Sequence, residues 1–217
     1  MFSVYAGLSN NCTSGFFFFA PGFLYCSLLA PFSYMDFPTY KVFFKSVLDS
    51  AKRLPPYNNP DYHNYTKLNW SRQRRWVDTG KLNEELVEKI KAIDKPQTWV
   101  VITEPWCGDA AHILPFLYML AEQNSIIKLD IQLRDSEPFL IDRYLTRGGK
   151  SIPKLIVRDE AGQDLMVWGP RPSASQVLYD RLKAEAADEE EMKLQLQWWY
   201  NEDKGQSLQQ ELLEQLP

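Results

Sequence analysis

The sequence is short of the residues that build metal centres and disulfide frameworks. It contains three cysteines, Cys12, Cys26 and Cys107, and two histidines, His63 and His112. An odd number of cysteines does not form a paired framework, and no spacing typical of metal ligands is present. We therefore predict no metal and no other cofactor. Such cysteine usage fits a reducing compartment, so we expect a cytoplasmic protein.

Basic residues are not in excess either. The formal net charge is -4 and the isoelectric point is near 5.3, whereas nucleic-acid binding requires a clustered basic face. The dense basic cluster Arg72, Arg74 and Arg75 lies beside Trp70 and Trp76, and we interpret it as the solvated edge of a helix. No nucleic-acid partner is expected.

Residues 1–34 contain no charged side chain. Pro21 and Gly22 interrupt their apolar run, and a spanning helix needs about 20 uninterrupted apolar residues, so no membrane association is expected. A secretory signal would need a basic n-region, and the first Lys or Arg is Lys41. Two interpretations stay open. Either the true start is Met35, or residues 1–34 are a degenerate export signal of an exported protein.

The pattern of residues 35–83 predicts a helical extension. A first helix is expected from Tyr40 to Ala51 because apolar residues recur there at helical spacing. The residues predicted to share its apolar face are Val42, Phe43, Val47 and Leu48. A segment rich in Tyr, Asn and Pro predicts a loop through Tyr65, and a second helix is expected at 67–77.

In residues 84–186, predicted helices and strands alternate along the chain as they do in an α/β domain. A helix capped by Asn83 leads into this segment. The predicted elements that follow are a strand at 98–103, a helix from 107, a strand at 126–133, a short helix at 140–146, strands at 153–158 and 164–168, and a helix at 173–186. The first half needs a crossover and is parallel, whereas the second half is a hairpin, so a mixed central sheet flanked by helices is predicted. Residues 187–217 predict a helical tail that packs on this domain.

The most informative motif is Trp106-Cys107-Gly108-Asp109-Ala110, where an apolar strand turns into a helix. Backbone N–H groups are unpaired at a helix start, and the helix dipole is positive there. Both favour the thiolate, which is the nucleophilic form of cysteine. The motif therefore predicts sulfur chemistry at Cys107.

These residues resemble the thioredoxin family, which carries Trp-Cys-Gly-Pro-Cys at a strand-to-helix turn and a proline later in that helix. Pro115 stands at the position of that proline, and Ile152-Pro153 stands where the family has an apolar residue and a cis-proline. The resemblance covers about residues 84–186. It implies a thioredoxin-like fold, a cis peptide bond before Pro153, and binding of an extended peptide or a glutathione-like substrate by the backbone of Ile152.

The whole chain is more similar still to a small bacterial branch of thioredoxin-like proteins with Trp-Cys-Gly-Asp-Ala at the turn. The tail segment 198–205 resembles that branch as well. Three positions depart from the dithiol pattern. Ala110 replaces the resolving cysteine, Asp109 replaces the motif proline, and Val101 stands where thioredoxins bury an acidic residue. No intramolecular disulfide can form at this turn, so dithiol reductase activity is not expected.

Cys107 is the candidate catalytic residue, and its alternative role is that of a structural thiol. The helix start lowers the pKa of Cys107 and the like charge of Asp109 raises it, so the sequence leaves the direction open. His112 is expected off the helix face that carries Cys107, and no Cys–His pair is predicted. The candidate substrate-binding residues are Trp106, Gly108, Asp109, Ile152 and Pro153. The alternative role of Trp106 is packing, that of Pro153 is a turn needed for folding, and that of Asp109 is a helix cap.

Three functions are compatible with this motif. The first is monothiol-type thiol–disulfide exchange through Cys107, in which a disulfide-bearing protein or a low-molecular-weight thiol such as glutathione supplies the resolving sulfur. The second is a redox-inactive module that binds peptides or acts as a chaperone. The third is iron–sulfur or glutathione binding in the manner of monothiol glutaredoxins, although their Cys-Gly-Phe-Ser pattern is missing. Monothiol exchange is the function that we expect.

Overall fold

A computed structural model describes residues 34–217 of the chain. The predictions for residues 1–33, with Cys12 and Cys26, lie outside the described residues. Within the described range, no helix combines the length and apolar character that crossing a bilayer requires.

A four-stranded mixed sheet lies at the centre of the fold. Its strands are β1 (Gln97–Thr103), β2 (Ile127–Leu133), β3 (Lys154–Arg158) and β4 (Asp164–Trp168), in the spatial order β2-β1-β3-β4. β1 pairs parallel with β2 and antiparallel with β3, and β3 pairs antiparallel with β4. The predicted mixed sheet is confirmed. Because β1 is a central strand covered on both faces, residues 99–102 in its middle form a continuous apolar run.

Helices flank the sheet and extend the chain at both ends. The helices before the sheet are α1 (Phe37–Asp49), α2 (Pro60–Thr79) and α3 (Glu84–Lys91). The connections within the sheet contain α4 (Gly108–Ala121) and a short 3-10 helix (Leu140–Arg143). The helices after the sheet are α5 (Ser173–Ala184), α6 (Glu189–Asp203) and α7 (Gln206–Gln215). The predicted α/β fold with a helical extension and a helical tail is confirmed.

The two faces of the sheet support two buried clusters, because successive side chains of a strand point to opposite faces. The larger cluster contains Trp99 and Val101 of β1 and apolar residues of the surrounding helices. The smaller cluster contains Val100 and Ile102 of the same strand together with Cys107. The cysteine therefore belongs to the smaller core, on the face opposite Val101.

The helical extension and the tail pack on the same core as the strands. Phe44 of α1 and Leu212 of α7 are both fully buried in the larger cluster. Residues from all three predicted segments therefore share one core. The boundaries 35–83, 84–186 and 187–217 stay a prediction.

The face that the first helix buries overlaps the predicted one only in part. Phe43 and Leu48 pack against the core, as predicted, whereas Val42 is 72% exposed and Phe44, which was not predicted, is fully buried. The Phe44 ring packs edge-on against Trp70 of α2, with ring centroids 5.3 Å apart. Aromatic rings bury more apolar area than a valine side chain, so they decide which face turns inward.

The second helix begins earlier than predicted, so the predicted loop through Tyr65 is wrong. The side chain of Asn59 accepts a hydrogen bond from the N–H of Asp61 at 2.8 Å, and Pro60 occupies the first helical position. Both features stabilise a helix start. The extra turns place Tyr62 and Tyr65 on the second helix.

Candidate functional site

Cys107 follows the carboxyl end of β1 and caps the amino end of α4. Its Sγ accepts a hydrogen bond from the N–H of Ala110 at 3.4 Å. The thiol also lies 3.4 Å from the carbonyl oxygen of Ile152, to which it donates. Only 5% of the residue is exposed. The sulfur thus stands at the helix start, as the motif predicts, and faces the segment that precedes β3.

Burial decides the direction of the Cys107 pKa. Removal from water disfavours the charged thiolate, and the negative charge of Asp109 acts in the same sense. The Ala110 N–H and the Arg171 guanidinium oppose them, yet the pKa of Cys107 is raised to about 12. The expected competition between helix start and Asp109 therefore ends with a protonated thiol at neutral pH.

Asp109 is held by two residues that come from distant parts of the chain. One carboxylate oxygen accepts hydrogen bonds from Arg171 Nη2 at 2.6 Å and Nε at 3.2 Å. The other oxygen accepts a hydrogen bond from the Tyr200 hydroxyl at 2.8 Å. Asp109 is thus an ion-pair partner that ties the loop after β4 and helix α6 to the start of α4, while the N-cap is Cys107.

Ile152 and Pro153 stand beside the sulfur, as the resemblance implies. The peptide bond between them is cis. Ile152 is buried in the smaller cluster with Cys107. A Cβ at Gly169 would collide with the carbonyl oxygen of Pro153, and Gly169 has φ +108°, so only glycine fits where β4 ends next to this segment.

Gly108 lies where α2 approaches the motif most closely. A Cβ at this position would collide with the Tyr65 hydroxyl. The glycine therefore allows the tyrosine ring to lie against the first turn of α4. Trp106 packs against the Tyr62 ring in a T-shaped arrangement, with ring centroids 6.1 Å apart. The Arg134 guanidinium lies 4.5 Å from the Trp106 ring centroid, a cation–π contact.

A cavity of about 930 Å³ opens over these residues. The predicted site residues that line it are Trp106, Cys107, Gly108, Asp109 and Ile152. Pro153 is buried behind them and does not line it. The volume is in the range of small-molecule sites, about 300–1,000 Å³. We name it the Cys107 cavity.

Several residues of the Cys107 cavity were not predicted from the sequence. They are Tyr62 and Tyr65 of α2, Arg134 and Lys150 of the loops, Arg171 after β4, and Glu189, Glu190, Lys193 and Leu196 of α6. The two tyrosines had a local signal, since Asn59-Pro60 is a helix start that puts residues three apart on one face. Arg171 and the α6 residues had none, because their approach to Cys107 depends on tertiary packing.

His112 serves a structural contact away from the sulfur. Its Nδ1 accepts a hydrogen bond from the Trp76 indole N–H at 2.8 Å, so the proton must be on Nε2, which donates to Gln197 at 3.1 Å. Its ring stacks on Tyr200 with centroids 4.5 Å apart. Burial lowers the pKa of His112 to about 3. As predicted, it forms no pair with Cys107.

Glu104 is the second carboxylate near the motif, and it faces away from the Cys107 cavity. It is 5% exposed and accepts a hydrogen bond from the N–H of Asp135 at 2.9 Å and one from the Tyr57 hydroxyl at 3.4 Å. Burial raises the pKa of Glu104. Among residues 34–217, no group of three or more His, Cys, Asp or Glu side chains is arranged to hold a metal ion.

Comparison with known proteins gives one family match and two distant solved structures. The family model described as Thioredoxin matches residues 56–188. A solved protein of unknown function from Pseudomonas aeruginosa is 18% identical over 80% of this chain and 93% of its own, with a TM-score of 0.45. An HIV epitope scaffold is 19% identical over 66% of this chain and 76% of its own, with a TM-score of 0.46. No curated protein matches the chain.

Proposed function

This chain belongs to the thioredoxin family, and we propose that it carries out monothiol-type thiol–disulfide exchange through Cys107. The observation that carries the proposal is the position of Sγ. The sulfur accepts the Ala110 N–H at the start of α4 and lines an open cavity. Ala110 stands where a dithiol protein has its second cysteine. Since the motif has no second cysteine, we assign the resolving sulfur to another molecule.

The exchange takes two balanced steps. In the first, the Cys107 thiolate attacks one sulfur of a disulfide R–S–S–R′. The S–S bond of the substrate breaks, a bond between Cys107 and R–S forms, and R′–S⁻ leaves with the electron pair. In the second, an external thiolate R″–S⁻ attacks the sulfur of R. That step forms R–S–S–R″ and returns the Cys107 thiolate, so no net oxidation occurs.

The high pKa of Cys107 shapes the rate of this exchange. With a pKa of about 12, only a small fraction of the sulfur is thiolate at neutral pH. A thiolate of high pKa is intrinsically more nucleophilic than one of low pKa. Exchange therefore proceeds slowly at neutral pH through this small fraction, and it accelerates as the pH rises.

The remaining site residues receive binding roles in this proposal. Trp106, Gly108 and Asp109 shape the cavity beside the sulfur, and the backbone of Ile152, fixed by Pro153, contacts the bound disulfide. The partner is a disulfide-bearing protein or a low-molecular-weight thiol such as glutathione. We propose that the exchange takes place in a bacterial cytoplasm, where thiols that resolve the mixed disulfide are abundant.

A second candidate function is a redox-inactive module that binds peptides. The observation that favours it is the 5% exposure of a thiol that is protonated at neutral pH. The two functions separate on Cys107→Ser. This substitution abolishes exchange under the first function and leaves peptide binding intact under the second.

Adduct formation tests the proposal directly. In the full chain with Cys12→Ser and Cys26→Ser, oxidised glutathione should add one glutathionyl group, seen by intact mass, and reduced glutathione should remove it. The Cys107→Ser variant of the same chain is the matched control and should gain no mass. If iodoacetamide alkylates Cys107 but no glutathione adduct forms between pH 7 and 10, the exchange function is wrong and the redox-inactive function is favoured.

A further inference from the structure

The Cys107 cavity is closed on two sides by helices that lie outside the motif. Tyr65 of α2 reaches the backbone of Gly108, where no Cβ would fit. Lys193 and Leu196 of α6 also line the cavity. The Lys193 ammonium lies 5.4 Å from the centroid of the Tyr65 ring, so the two helices meet beside the cavity. The sulfur is thus reached through a space bounded by both helices.

Helix α6 is fixed to α4 by several contacts. Tyr200 donates to Asp109 at 2.8 Å and stacks on the His112 ring with an interplanar angle of 2°. Gln197 accepts from His112 at 3.1 Å, and Arg171 holds the far side of Asp109. Tyr200 is 4% exposed, so water does not compete for its contacts. This side of the cavity is therefore part of the folded structure.

The cavity carries charges of both signs. The cations Arg134 and Lys150 lie near the loops, and the carboxylates Glu189 and Glu190 lie at the start of α6. The ion pairs of Lys150 and of the two glutamates are largely exposed. Exposed pairs of this kind contribute little stability, so these side chains can turn to a ligand at small cost.

We infer that the Cys107 cavity admits low-molecular-weight disulfides that carry both carboxylate and ammonium groups, and excludes disulfides held in a polypeptide fold. The inference rests on the proposed exchange and narrows its substrate class. A 930 Å³ space bounded by two helices accommodates a small disulfide. Because Cys107 is only 5% exposed, a disulfide must enter the space lined by Tyr65 and Leu196 to reach Sγ, which a disulfide held rigidly in a folded protein cannot do. The opposite charges of the lining match an amino-acid-derived disulfide.

The experiment compares three oxidants at one pH. Full-length protein with Cys12→Ser and Cys26→Ser is treated at pH 8.5 with oxidised glutathione, with the neutral 2-hydroxyethyl disulfide, and with insulin. Mixed disulfides are followed by intact mass. Glutathione disulfide should react fastest, the neutral disulfide more slowly, and insulin slowest, by at least about tenfold relative to glutathione disulfide. Equal rates with insulin and glutathione disulfide would overturn the inference and leave the exchange function standing.

Variants locate the cause of the selectivity. Tyr65→Ala removes one side of the cavity and should raise the insulin rate by about tenfold, with a smaller change for glutathione disulfide. Trp198→Ala is the matched control, because this α6 residue is 64% exposed and does not line the cavity. An unchanged insulin rate in a folded Tyr65→Ala protein would also overturn the inference. If no oxidant reacts while iodoacetamide alkylates Cys107, the proposed exchange itself fails.

Discussion

Helices α2 and α6 bound the same cavity but are attached to the protein in different ways. α2 buries five of its residues, and Trp76 packs on Phe116 of α4 with ring centroids 5.5 Å apart. α6 buries Tyr200 alone and reaches α4 through polar and stacking contacts. Thus α2 is part of the core over its whole length, whereas α6 joins the core through Tyr200 and Trp199 and meets α4 at contacts centred on Asp109 and His112.

Trp76→Ala should cause the largest loss of stability, because it removes a core side chain of α2. Trp76 is 6% exposed, packs on Phe116 and donates to His112. Deleting a buried Trp costs about 3–5 kcal/mol of unfolding free energy. Urea unfolding measures the loss, and the exposed Trp198→Ala is the control, expected within about 0.5 kcal/mol of the parent. A Trp76→Ala loss as small as that of the control would show that α2 is not a core helix.

Tyr200→Phe should loosen α6 and leave α2 in place. The substitution removes one hydrogen bond to a partly buried carboxylate, which is worth about 1.5–3 kcal/mol, while the ring keeps its place over His112. Hydrogen exchange should quicken in residues 189–203 and stay unchanged in residues 60–79. Equal quickening in both helices would mean that they open together, contrary to the comparison.

Elements with a clear local pattern were predicted from the sequence, whereas contacts that depend on tertiary packing were not. β1, α4 and β3 were predicted because the spacing of apolar residues within each segment identifies it as a strand or a helix. The thioredoxin resemblance implied that Ile152 lies beside Cys107, and the structure places the Ile152 carbonyl oxygen 3.4 Å from Cys107 Sγ. Arg171 and Tyr200 were missed, since nothing in the local sequence shows that they meet at Asp109. The start of α2 was misread because Tyr and Asn residues outweighed the cap at Asn59 in the prediction.

The thiol between the two helices should make stability depend on pH. The folded pKa of Cys107 is about 12, above the value of about 8.5 for an unfolded cysteine. Between these values the unfolded chain loses a proton that the folded chain keeps, so stability falls as the pH rises. Urea unfolding from pH 8.5 to 10 should show a loss of about 1–2 kcal/mol from Cys107, in addition to the loss from buried tyrosines, whose pKa values are raised as well.

Cys107→Ser gives the control for this pH dependence, because serine does not titrate in the same range. In the full chain without Cys12 and Cys26, this variant should lose about 1–2 kcal/mol less than the parent between pH 8.5 and 10, and the smaller slope that remains belongs to the tyrosines. A slope of equal size in the variant would assign the effect to other groups and contradict the raised pKa.

Asp109→Asn tests how the carboxylate acts on the reactivity of Cys107. The Asp109 charge raises the Cys107 pKa, and the amide removes that charge while it still accepts a hydrogen bond from Arg171. The Cys107 pKa should fall, and alkylation by iodoacetamide at pH 8 should accelerate by about threefold to tenfold. A slower reaction in a folded variant would show that Asp109 does not oppose ionisation of the thiol.

The most direct test of the account is the pH dependence of mixed-disulfide formation at Cys107. The full chain with Cys12→Ser and Cys26→Ser is mixed with oxidised glutathione at each pH from 7 to 10, and the adduct is quantified by intact mass. Monothiol exchange through a buried thiol predicts one adduct whose rate rises about tenfold per pH unit, since the thiolate fraction rises tenfold per unit below the pKa. A folded protein that forms no adduct across this range would contradict the account.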